Sequence, residues 1–468
     1  MTEPKVVLYN PRADFYTLPL ALLALASSLP RNRYRVRIVD GRLEEAPWER
    51  VLAETEDALC LGVTVLTGKP LGDALGLTRA VKAARPGLPV VWGGWHPSLF
   101  PAETVSEAGV EAAVEGQGES TFAEILARLE NGSTLEGVPG CVFRDGRDVV
   151  RNGPRATADM NEFPALDYDL IDLERYFERK GQRQLDYVTS QGCRFRCAFC
   201  SDPTVYRRAW FGLAPSRVGE ELERLHRRHL FEDVAFQDET FFTQAKRVAA
   251  IAEEIRRRGL AFRWMATLRA DQGARIDERV LGECRRAGLR RVMVGLESGS
   301  QRMLDWMKKD VTLDQVFATA EKCRHLGIGV LFNLIVGFPE EPRESVEETI
   351  AVAKRLRAMG GDFQVAFFYY RPYPGTEITD GLSKAGHPLP RRLEEWAAIE
   401  GAPSPWVDSE KRALIERFKF YQQVAWSRPS KARAPIQALA RWRCRRDFYG
   451  LPLEKTMVEW LRPLAPQG

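Results

Sequence analysis

The sequence lacks the features that mark membrane-spanning, secreted and nucleic-acid-binding proteins. The longest early apolar run, Leu18 to Leu29, is too short to cross a bilayer, and no basic n-region of a signal peptide precedes it. Because 68 basic and 64 acidic residues nearly cancel, the net charge of +4 argues against nucleic acid as a partner. Eight cysteines in 468 residues are too few for a disulfide framework, so a reducing cytoplasm is the expected compartment.

The first third of the chain also lacks the G-x-G-x-x-G that would follow a first strand in NAD- and FAD-binding proteins, so these ligands are disfavoured. What it contains is an alternation of apolar strands and helical segments, which predicts a parallel, doubly wound sheet. The predicted strands are 5–10, 34–39, 58–64, 90–92 and 112–115. The last three run into Thr64-Val65-Leu66-Thr67-Gly68, Gly93-Gly94-Trp95-His96-Pro97 and Gly116-Gln117-Gly118-Glu119-Ser120, where glycines let a ligand approach the backbone.

A connecting segment rich in Gly, Pro, Asp and Asn extends from Asn131 to Asp172, with a hairpin predicted at 140–143 and 149–151. A second βα series begins near Arg183, and its period resembles a TIM-type barrel. Its predicted strands, each ending in a polar or glycine signal, are 185–190, 233–237, 263–268, 291–294, 330–336 and 363–370. We expect the chemistry at these strand ends, since α/β proteins place it there.

Beyond Thr376 the pattern is helical and rich in tryptophan and arginine. The tryptophans are Trp396, Trp406, Trp426, Trp442 and Trp460. A basic, aromatic run from Arg441 to Arg446 is interpreted as a solvated helix face covering the barrel. Contact with an acidic substrate, a membrane surface or RNA is the alternative interpretation.

The first strand of the second series leads into Cys193-Arg194-Phe195-Arg196-Cys197-Ala198-Phe199-Cys200, with Gly192 giving the turn room to bend. Three thiolates at C-x3-C-x2-C spacing can hold three irons of a [4Fe–4S] cube and leave the fourth iron open. Zinc prefers four ligands, and the nearby His226 and His229 fall in a charged, helix-like run. A zinc site or buried structural thiols remain the alternatives.

The cysteine spacing, with its aromatic residue, resembles the signature of radical S-adenosylmethionine (SAM) enzymes, whose open iron is chelated by SAM. The resemblance implies a six-stranded partial barrel and SAM contacts at Phe199, Asp238, Glu239, Arg269 and Glu297. Asp238-Glu239-Thr240 stands where the family often has Gly-Gly-Glu, so the ammonium contact is open between Asp238 and Glu239. We expect Arg269 to pair with the carboxylate of SAM, and Glu297 to bind its ribose or lie near its sulfonium. Helix caps or surface ion pairs are the alternative roles.

The glycine-rich strand ends of the first third look like the cobalamin-binding domain found ahead of many radical SAM domains. The implied cobalamin contacts are Thr64, Leu66, Thr67, Gly93, Gly94, His96 and Gly116. The D-x-H-x-x-G loop that supplies an axial histidine elsewhere is missing, because Asn10-Pro11-Arg12-Ala13-Asp14 follows the first strand. Cobalamin is therefore expected without a histidine from that loop, with His96 as a loop or phosphate contact. A degenerate domain that holds nothing is the alternative.

These patterns predict an α/β protein in four parts. They are an N-terminal doubly wound (Rossmann-like, cobalamin-type) domain at 1–135, a linker with a small hairpin at 136–180, a radical SAM partial (β/α)6 barrel at 181–380, and a helical C-terminal segment at 381–468 that covers the barrel.

The resemblance implies reductive cleavage of SAM to a 5′-deoxyadenosyl radical. The first hypothesis is cobalamin-dependent methylation of an unactivated carbon in a natural product, lipid or tetrapyrrole. The second is an oxidative cyclisation or rearrangement, as in the anaerobic ring cyclase of chlorophyll synthesis, and a third is a non-catalytic corrinoid sensor. A methylthiotransferase is disfavoured, because only Cys60 and Cys141 precede the motif. The expected partners are a small-molecule substrate and an electron donor such as flavodoxin or ferredoxin.

Overall fold

Two sheets, one in each half of the chain, organise the computed structural model, which describes residues 3–401, 404–426, 434–446 and 448–449. The first sheet has seven strands in the order β2-β1-β3-β4-β5-β6-β7. These are β1 (Lys5–Asn10), β2 (Arg35–Asp40), β3 (Ala58–Thr64), β4 (Val90–Gly93), β5 (Ala112–Val114), β6 (Cys141–Asp145) and β7 (Asp148–Arg151). Strands β1 to β5 are parallel, which confirms the predicted doubly wound fold.

Helices cover both faces of the first sheet, so its central strands are largely buried and mostly apolar. These helices are α1 (Leu20–Ser28), α2 (Pro47–Glu54), α3 (Lys69–Ala84), α4 (Trp95–Leu99), α5 (Pro101–Ser106) and α6 (Glu119–Glu130).

The β6–β7 hairpin belongs to the first sheet rather than to a linker. Strand β6 pairs antiparallel with β5, with Ala112 opposite Phe143, and Cys141 and Val142 are fully buried. The hairpin thus covers an edge that would otherwise present unpaired backbone groups. Consequently the first domain continues past residue 135, the boundary predicted from composition.

The second sheet has six parallel strands in the order β15-β14-β13-β12-β11-β8. They are β8 (Gln184–Tyr187), β11 (Asp233–Phe236), β12 (Arg263–Thr267), β13 (Leu289–Glu297), β14 (Gly329–Val336) and β15 (Phe363–Tyr369). No ladder joins β15 to β8 among the described residues, so the barrel is open, as predicted. A separate antiparallel pair, β9 (Ser190–Gly192) and β10 (Trp210–Gly212), brackets the cysteine loop.

Helices surround this sheet on the outside and bury its apolar strands. They are α7 (Leu173–Lys180), α8 (Asp202–Val205), α9 (Pro215–His229), α10 (Ala245–Arg257), α11 (Ala270–Arg275), α12 (Glu278–Arg286), α13 (Gln301–Trp306), α14 (Leu313–His325) and α15 (Arg343–Met359).

The C-terminal helices α16 (Glu377–Lys384), α17 (Leu393–Ala397), α18 (Ser409–Ala425) and α19 (Ala434–Arg446) divide between the two domains. Helix α17 packs against α3 of the first domain, where Trp396 joins the core and is only 4% exposed. Helix α18 packs on α15, beside the barrel. The prediction that the whole segment covers the barrel is therefore wrong for α17, because its apolar residues complete the core of the first domain instead.

The basic, aromatic run near the C-terminus lies in α19, which packs on α18. Arg443 and Cys444 are buried, whereas Trp442 is 47% exposed. Trp460 lies outside the described residues. Across the described ranges, no helix combines the length and the apolar character that a membrane crossing requires.

Gly192, at the end of β9, gives a direct test of the turn that precedes the cysteines. Its φ of +92° suits glycine, and a Cβ at this position would collide with the carbonyl oxygen of Ala209, the residue before β10. We expect Gly192→Ala to lower the melting temperature and to reduce the iron content after anaerobic reconstitution severalfold. Gly181→Ala is the matched control, because Gly181 also has positive φ (+63°) but no atom within 4 Å of the added Cβ. Equal iron content in the two variants would contradict this account.

Candidate active site between the two sheets

A cavity of about 430 Å³ lies between the strand ends of the first sheet and the mouth of the barrel. On the first domain it is lined by α1 and by five of the seven residues predicted to contact cobalamin: Thr64, Leu66, Gly93, Gly94 and Gly116. On the barrel side it is lined by residues that include Tyr187, Gln191, Tyr206, Gln237 and Glu239. One space therefore joins five predicted cobalamin contacts to Glu239, whereas the three cysteines and the other predicted SAM contacts, Phe199, Asp238, Arg269 and Glu297, do not line it.

One part of the cavity lies between α1 and the first sheet and has apolar walls. The residues that form it are Ala21, Leu22, Leu25, Gly62, Val91, Val114 and Phe122. At its edge, Gly94 has a φ of +97°, and a Cβ there would come within 3.0 Å of Thr64 and of the Val65 backbone. An apolar slot suits a flat aromatic base, and a glycine edge lets a bulky ring lie against the backbone, so these residues fit a corrinoid with a nucleotide tail.

His96 and Thr67, the other two predicted cobalamin contacts, do not line this cavity. Their side chains bond to each other, with Thr67 Oγ1 2.9 Å from His96 Nδ1. The imidazole is fully buried between Phe100 and Trp396, and burial lowers its pKa to about 4, so the ring is neutral. Its Nε2 has no hydrogen-bond partner among the described residues. His96, in α4, thus holds the loop that contains Thr67 and is not placed to coordinate a metal in the cavity.

The three cysteines occupy one loop at the barrel mouth. Cys193 and Cys197 are each 8% exposed, Cys200 is partly buried, and all three are free thiols. The loop is fixed on both sides, because Ala198 N donates to Met307 O (2.8 Å) and Ala198 O accepts from Ile378 N (3.0 Å). Such a thiol set fits a [4Fe–4S] cluster.

The zinc alternative finds no support in the geometry. Among the described residues, no group of three or more His, Cys, Asp or Glu side chains is arranged to hold a metal ion. A tetrahedral zinc site would require such a group around one point, whereas a cube holds its thiolates on separate irons and therefore farther apart.

Asp238 and Glu239, adjacent at the end of β11, have different surroundings. Both oxygens of the buried Asp238 accept hydrogen bonds, from Thr189 N (2.8 Å), Thr189 Oγ1 (2.6 Å) and Ser190 Oγ (2.5 Å). Asp238 therefore anchors the strand end that leads to the cysteines. Glu239 lines the cavity and accepts from Gly192 N and Tyr206 OH, each at 3.1 Å. Of the two, Glu239 is the carboxylate available to a ligand.

Arg269 lies against the cysteine loop. Its guanidinium stacks 3.6 Å from the ring centroid of Phe195, and Nη1 donates to Cys197 Sγ at 3.4 Å. It also donates to Asp271 (3.0 Å) and to the carbonyl of Lys309 (2.6 Å). The side chain predicted to bind the SAM carboxylate thus already contacts a cluster thiol, and two of its five N–H groups remain available.

Glu297 forms a buried ion pair that the sequence pattern did not reveal. Its Oε1 lies 2.7 Å from Lys309 Nζ, which in turn lies 5.5 Å from the ring centroid of Phe199. Glu297 has a φ of +66°, so the end of β13 adopts a left-handed conformation that a non-glycine residue rarely holds. Lys309 follows α13 rather than a strand, so its position in the sequence carries no strand-end signal.

Tyr206 and Trp95 were also missed. Tyr206 lines the cavity from the barrel domain and packs edge-to-face on Trp95 of the first domain, with ring centroids 5.6 Å apart. Tyr206 belongs to the segment after the cysteines, which has no periodic pattern. This aromatic contact closes one side of the cavity across the domain boundary.

Comparison with known proteins agrees with the division of the chain into a first domain and a barrel domain. Residues 187–353 match the Radical SAM superfamily, and residues 5–126 match the B12 binding domain. An uncharacterized methyltransferase of Pyrococcus horikoshii is 32% identical over 364 residues, covering 77% of each chain. The hopanoid C-3 methylase of Methylococcus capsulatus is 28% identical over 386 residues, covering 80% of this chain and 71% of that protein. The anaerobic magnesium-protoporphyrin IX monomethyl ester cyclase of Synechocystis is 27% identical over 366 residues, which cover 77% of this chain and 72% of that protein.

Two solved structures share the fold over nearly the whole chain. The cobalamin-dependent SAM radical enzyme OxsB, with aqua-cobalamin and SAM bound, has a TM-score of 0.78 at 17% identity and covers 98% of this chain and 75% of its own. TsrM of Kitasatospora setae is a radical SAM methyltransferase whose structure contains cobalamin and a [4Fe–4S] cluster. Its TM-score is 0.69 at 20% identity, and the match covers 92% of this chain and 90% of TsrM. With both domains matched and the cysteine loop at the barrel mouth, this chain belongs to the radical SAM superfamily, as an enzyme of the group that carries a B12-binding domain ahead of the barrel.

Proposed function

We propose that this protein is a cobalamin-dependent radical SAM methyltransferase that methylates an unactivated carbon of a small molecule. The observation that carries the proposal is the single cavity, which brings Gly93 and Gly94 of the B12-binding domain and Glu239 of the barrel to one space. A methyl donor and a substrate carbon must lie close together to react, and a shared cavity meets that requirement. The names of the Pyrococcus relative, a methyltransferase, and of the Methylococcus relative, a methylase, support the same reaction class.

The chain's own residues would hold each cofactor in a distinct part of this site. Cys193, Cys197 and Cys200 would ligate the [4Fe–4S] cluster. We assign Glu239 to the ammonium of SAM, and Arg269 to both a cluster thiolate and the SAM carboxylate. When bound, the cluster and SAM supply a radical that removes hydrogen from an unreactive C–H bond, and methylcobalamin supplies the methyl group.

The cobalamin would be held by the strand ends and the apolar slot. The loop after β1, which carries a histidine in other cobalamin proteins, here presents Asn10, Pro11, Ala13, Phe15 and Thr17 to the cavity. In the described part of the chain, the cavity wall contains no histidine, cysteine or lysine. We infer that no histidine, lysine or cysteine of the cavity wall would bind the cobalt, and that the nucleotide base of cobalamin would be held in the apolar slot.

The coordination state of cobalt tests that inference. After anaerobic reconstitution with cob(II)alamin, the electron paramagnetic resonance spectrum should show no nitrogen hyperfine splitting from an axial ligand. His96→Ala serves as a control, and its spectrum should match that of the unmodified protein because His96 lies behind the cavity wall. A nitrogen splitting that disappears in His96→Ala would refute the assignment.

The reaction itself is tested with SAM that carries a deuterated methyl group. The reconstituted holoenzyme, supplied with a low-potential reductant and candidate natural products, lipids or tetrapyrroles, should form 5′-deoxyadenosine and a product that carries the labelled methyl group. The triple variant Cys193→Ala, Cys197→Ala, Cys200→Ala should lose both products completely. An oxidised or isomeric product without label, as the kinship with the Synechocystis cyclase would suggest, contradicts methyl transfer. A biological output that survives the triple variant would instead indicate a corrinoid sensor.

The Glu239 assignment predicts a pH-dependent affinity for SAM. Burial, and next the nearby Asp202 carboxylate, raises the pKa of Glu239 to about 7, with Asp238 adding a smaller effect in the same direction. Below that pH the carboxyl is neutral and cannot pair with an ammonium. We expect the Kd of SAM, measured by anaerobic calorimetry, to rise about tenfold from pH 8 to pH 6.

Glu239→Gln should bind SAM weakly at both pH values and show no such slope. Glu221→Gln is the matched control, since Glu221 also lines the cavity but is bonded to Tyr187 and Arg217. A pH slope that persists in Glu239→Gln would show that another group controls the affinity.

A further inference from the structure

Five basic side chains surround the outside of the cysteine loop, and we refer to them as the basic rim: Arg194, Arg196, Arg207, Arg208 and Lys308. The four arginines are exposed, and the lysine side chain is 42% exposed. None of the five lines the cavity between the two sheets. The rim is therefore not part of the wall of that cavity.

The basic rim is contiguous. Arg208 Nε donates to the carbonyl of Arg194 (3.0 Å), and Arg196 pairs with Asp310 at 2.8 Å. Lys308 pairs with Glu377. The hydrogen bond from Arg196 and the charges of Arg196, Arg269 and Arg208 lower the pKa of Asp310, so Arg208 faces the same carboxylate. With two carboxylates against five cations, the rim keeps an excess of positive charge.

The backbone beneath the rim adopts conformations that favour glycine. Arg207 (φ +50°), Arg208 (φ +60°) and Lys308 (φ +52°) all lie in the left-handed region, as does Asp310 (φ +54°). Seven non-glycine residues of the described chain have positive φ, and four of them are here. Glycine would be less strained at each position, and such strain concentrates at functional sites. A long cationic side chain at three of these positions therefore points to a function that needs the charge.

Two side chains, Phe195 and Arg269, connect the rim to a cluster thiol. Phe195 stands between Arg194 and Arg196, and its ring packs 3.6 Å from the guanidinium of Arg269. Arg269 in turn donates to Cys197 Sγ. A protein bound to the rim would thus approach the cluster from outside, while the cavity remains free for SAM, substrate and cobalamin.

We propose that the basic rim docks an acidic one-electron carrier protein of the flavodoxin or ferredoxin type. This rests on the proposed function, since a cluster that cleaves SAM must be reduced first. In the docked complex the carrier loses one electron and the oxidised cluster gains it, with no bond made or broken and no proton moved. An acidic protein surface complements the rim, and such complementarity speeds association more than it strengthens binding.

Stopped-flow reduction of the reconstituted holoenzyme by a fully reduced flavodoxin tests the proposal through cluster absorbance. Arg207→Glu/Arg208→Glu should lower the second-order rate constant about tenfold or more at low ionic strength, and added salt should narrow the difference. Reduction by dithionite, a small reductant that needs no docking surface, should change little. The matched control is Arg285→Glu/Arg286→Glu, two adjacent exposed arginines at the C-terminal end of α12, which lies at the opposite end of the barrel.

A second variant keeps the test valid if charge reversal disturbs folding. Arg207→Gly/Arg208→Gly removes the charges and relieves the backbone strain, so its melting temperature should be equal or higher. Its reduction by flavodoxin should nevertheless be severalfold slower, a combination that a purely structural role for the arginines would not produce.

Three results would contradict the proposal that the basic rim docks an electron carrier. Unchanged flavodoxin rates in both rim variants would overturn the proposal, and so would an equal loss in the Arg285/Arg286 control. A single-stranded oligonucleotide that binds the rim more tightly than flavodoxin, with reduction rates unaffected by the variants, would mark a nucleic-acid surface. Failure of the dithionite-reduced protein to cleave SAM would refute the proposed function instead, while the flavodoxin rates would still report on docking.

Discussion

The site depends first on the buried carboxylate of Asp238. Its oxygens accept hydrogen bonds from Thr189 and Ser190, which lie on the chain between β8 and the cysteines. A buried carboxylate is tolerated only when its oxygens are satisfied, so this cluster of bonds has one well-defined arrangement. It fixes where the cysteine loop begins relative to the second strand of the barrel. It also leaves the neighbouring Glu239 as the acidic group that faces the cavity.

The relation between the two domains depends on a similar group, Asp186 of β8. Its carboxylate accepts from the backbone N–H of Leu18 (2.7 Å), two residues before α1, and from Gln237 (2.9 Å) on the cavity wall. Lys180 neutralises its charge at 2.5 Å. The first strand of the barrel is thereby bonded to the helix that forms one wall of the apolar slot. The cavity is consequently a property of both domains together, and neither domain encloses it alone.

Much of the fold could be predicted because its signals are local. The bounds of β1 and β3 agree with the structure, all six barrel strands are present, and the cysteine loop lies at a strand end as the motif indicates. Apolar periodicity, glycine positions and cysteine spacing depend only on residues that are close in the sequence. They therefore indicate strands, turns and the cluster loop without knowledge of the tertiary contacts. Five of the seven predicted cobalamin contacts line the cavity for the same reason, since the ends of parallel strands meet at one edge of a sheet.

By itself, the sequence determined the two-domain α/β order, the cluster motif and the absence of a D-x-H-x-x-G loop after the first strand. The tertiary structure decided what depends on contacts between distant segments. It assigned the β6–β7 hairpin to the first sheet, placed His96 behind the cavity wall, and distinguished Glu239 from Asp238. It also brought Lys309 to Glu297 and gathered the basic rim. Pairing and burial of this kind arise from packing across tens or hundreds of residues, which no local pattern records.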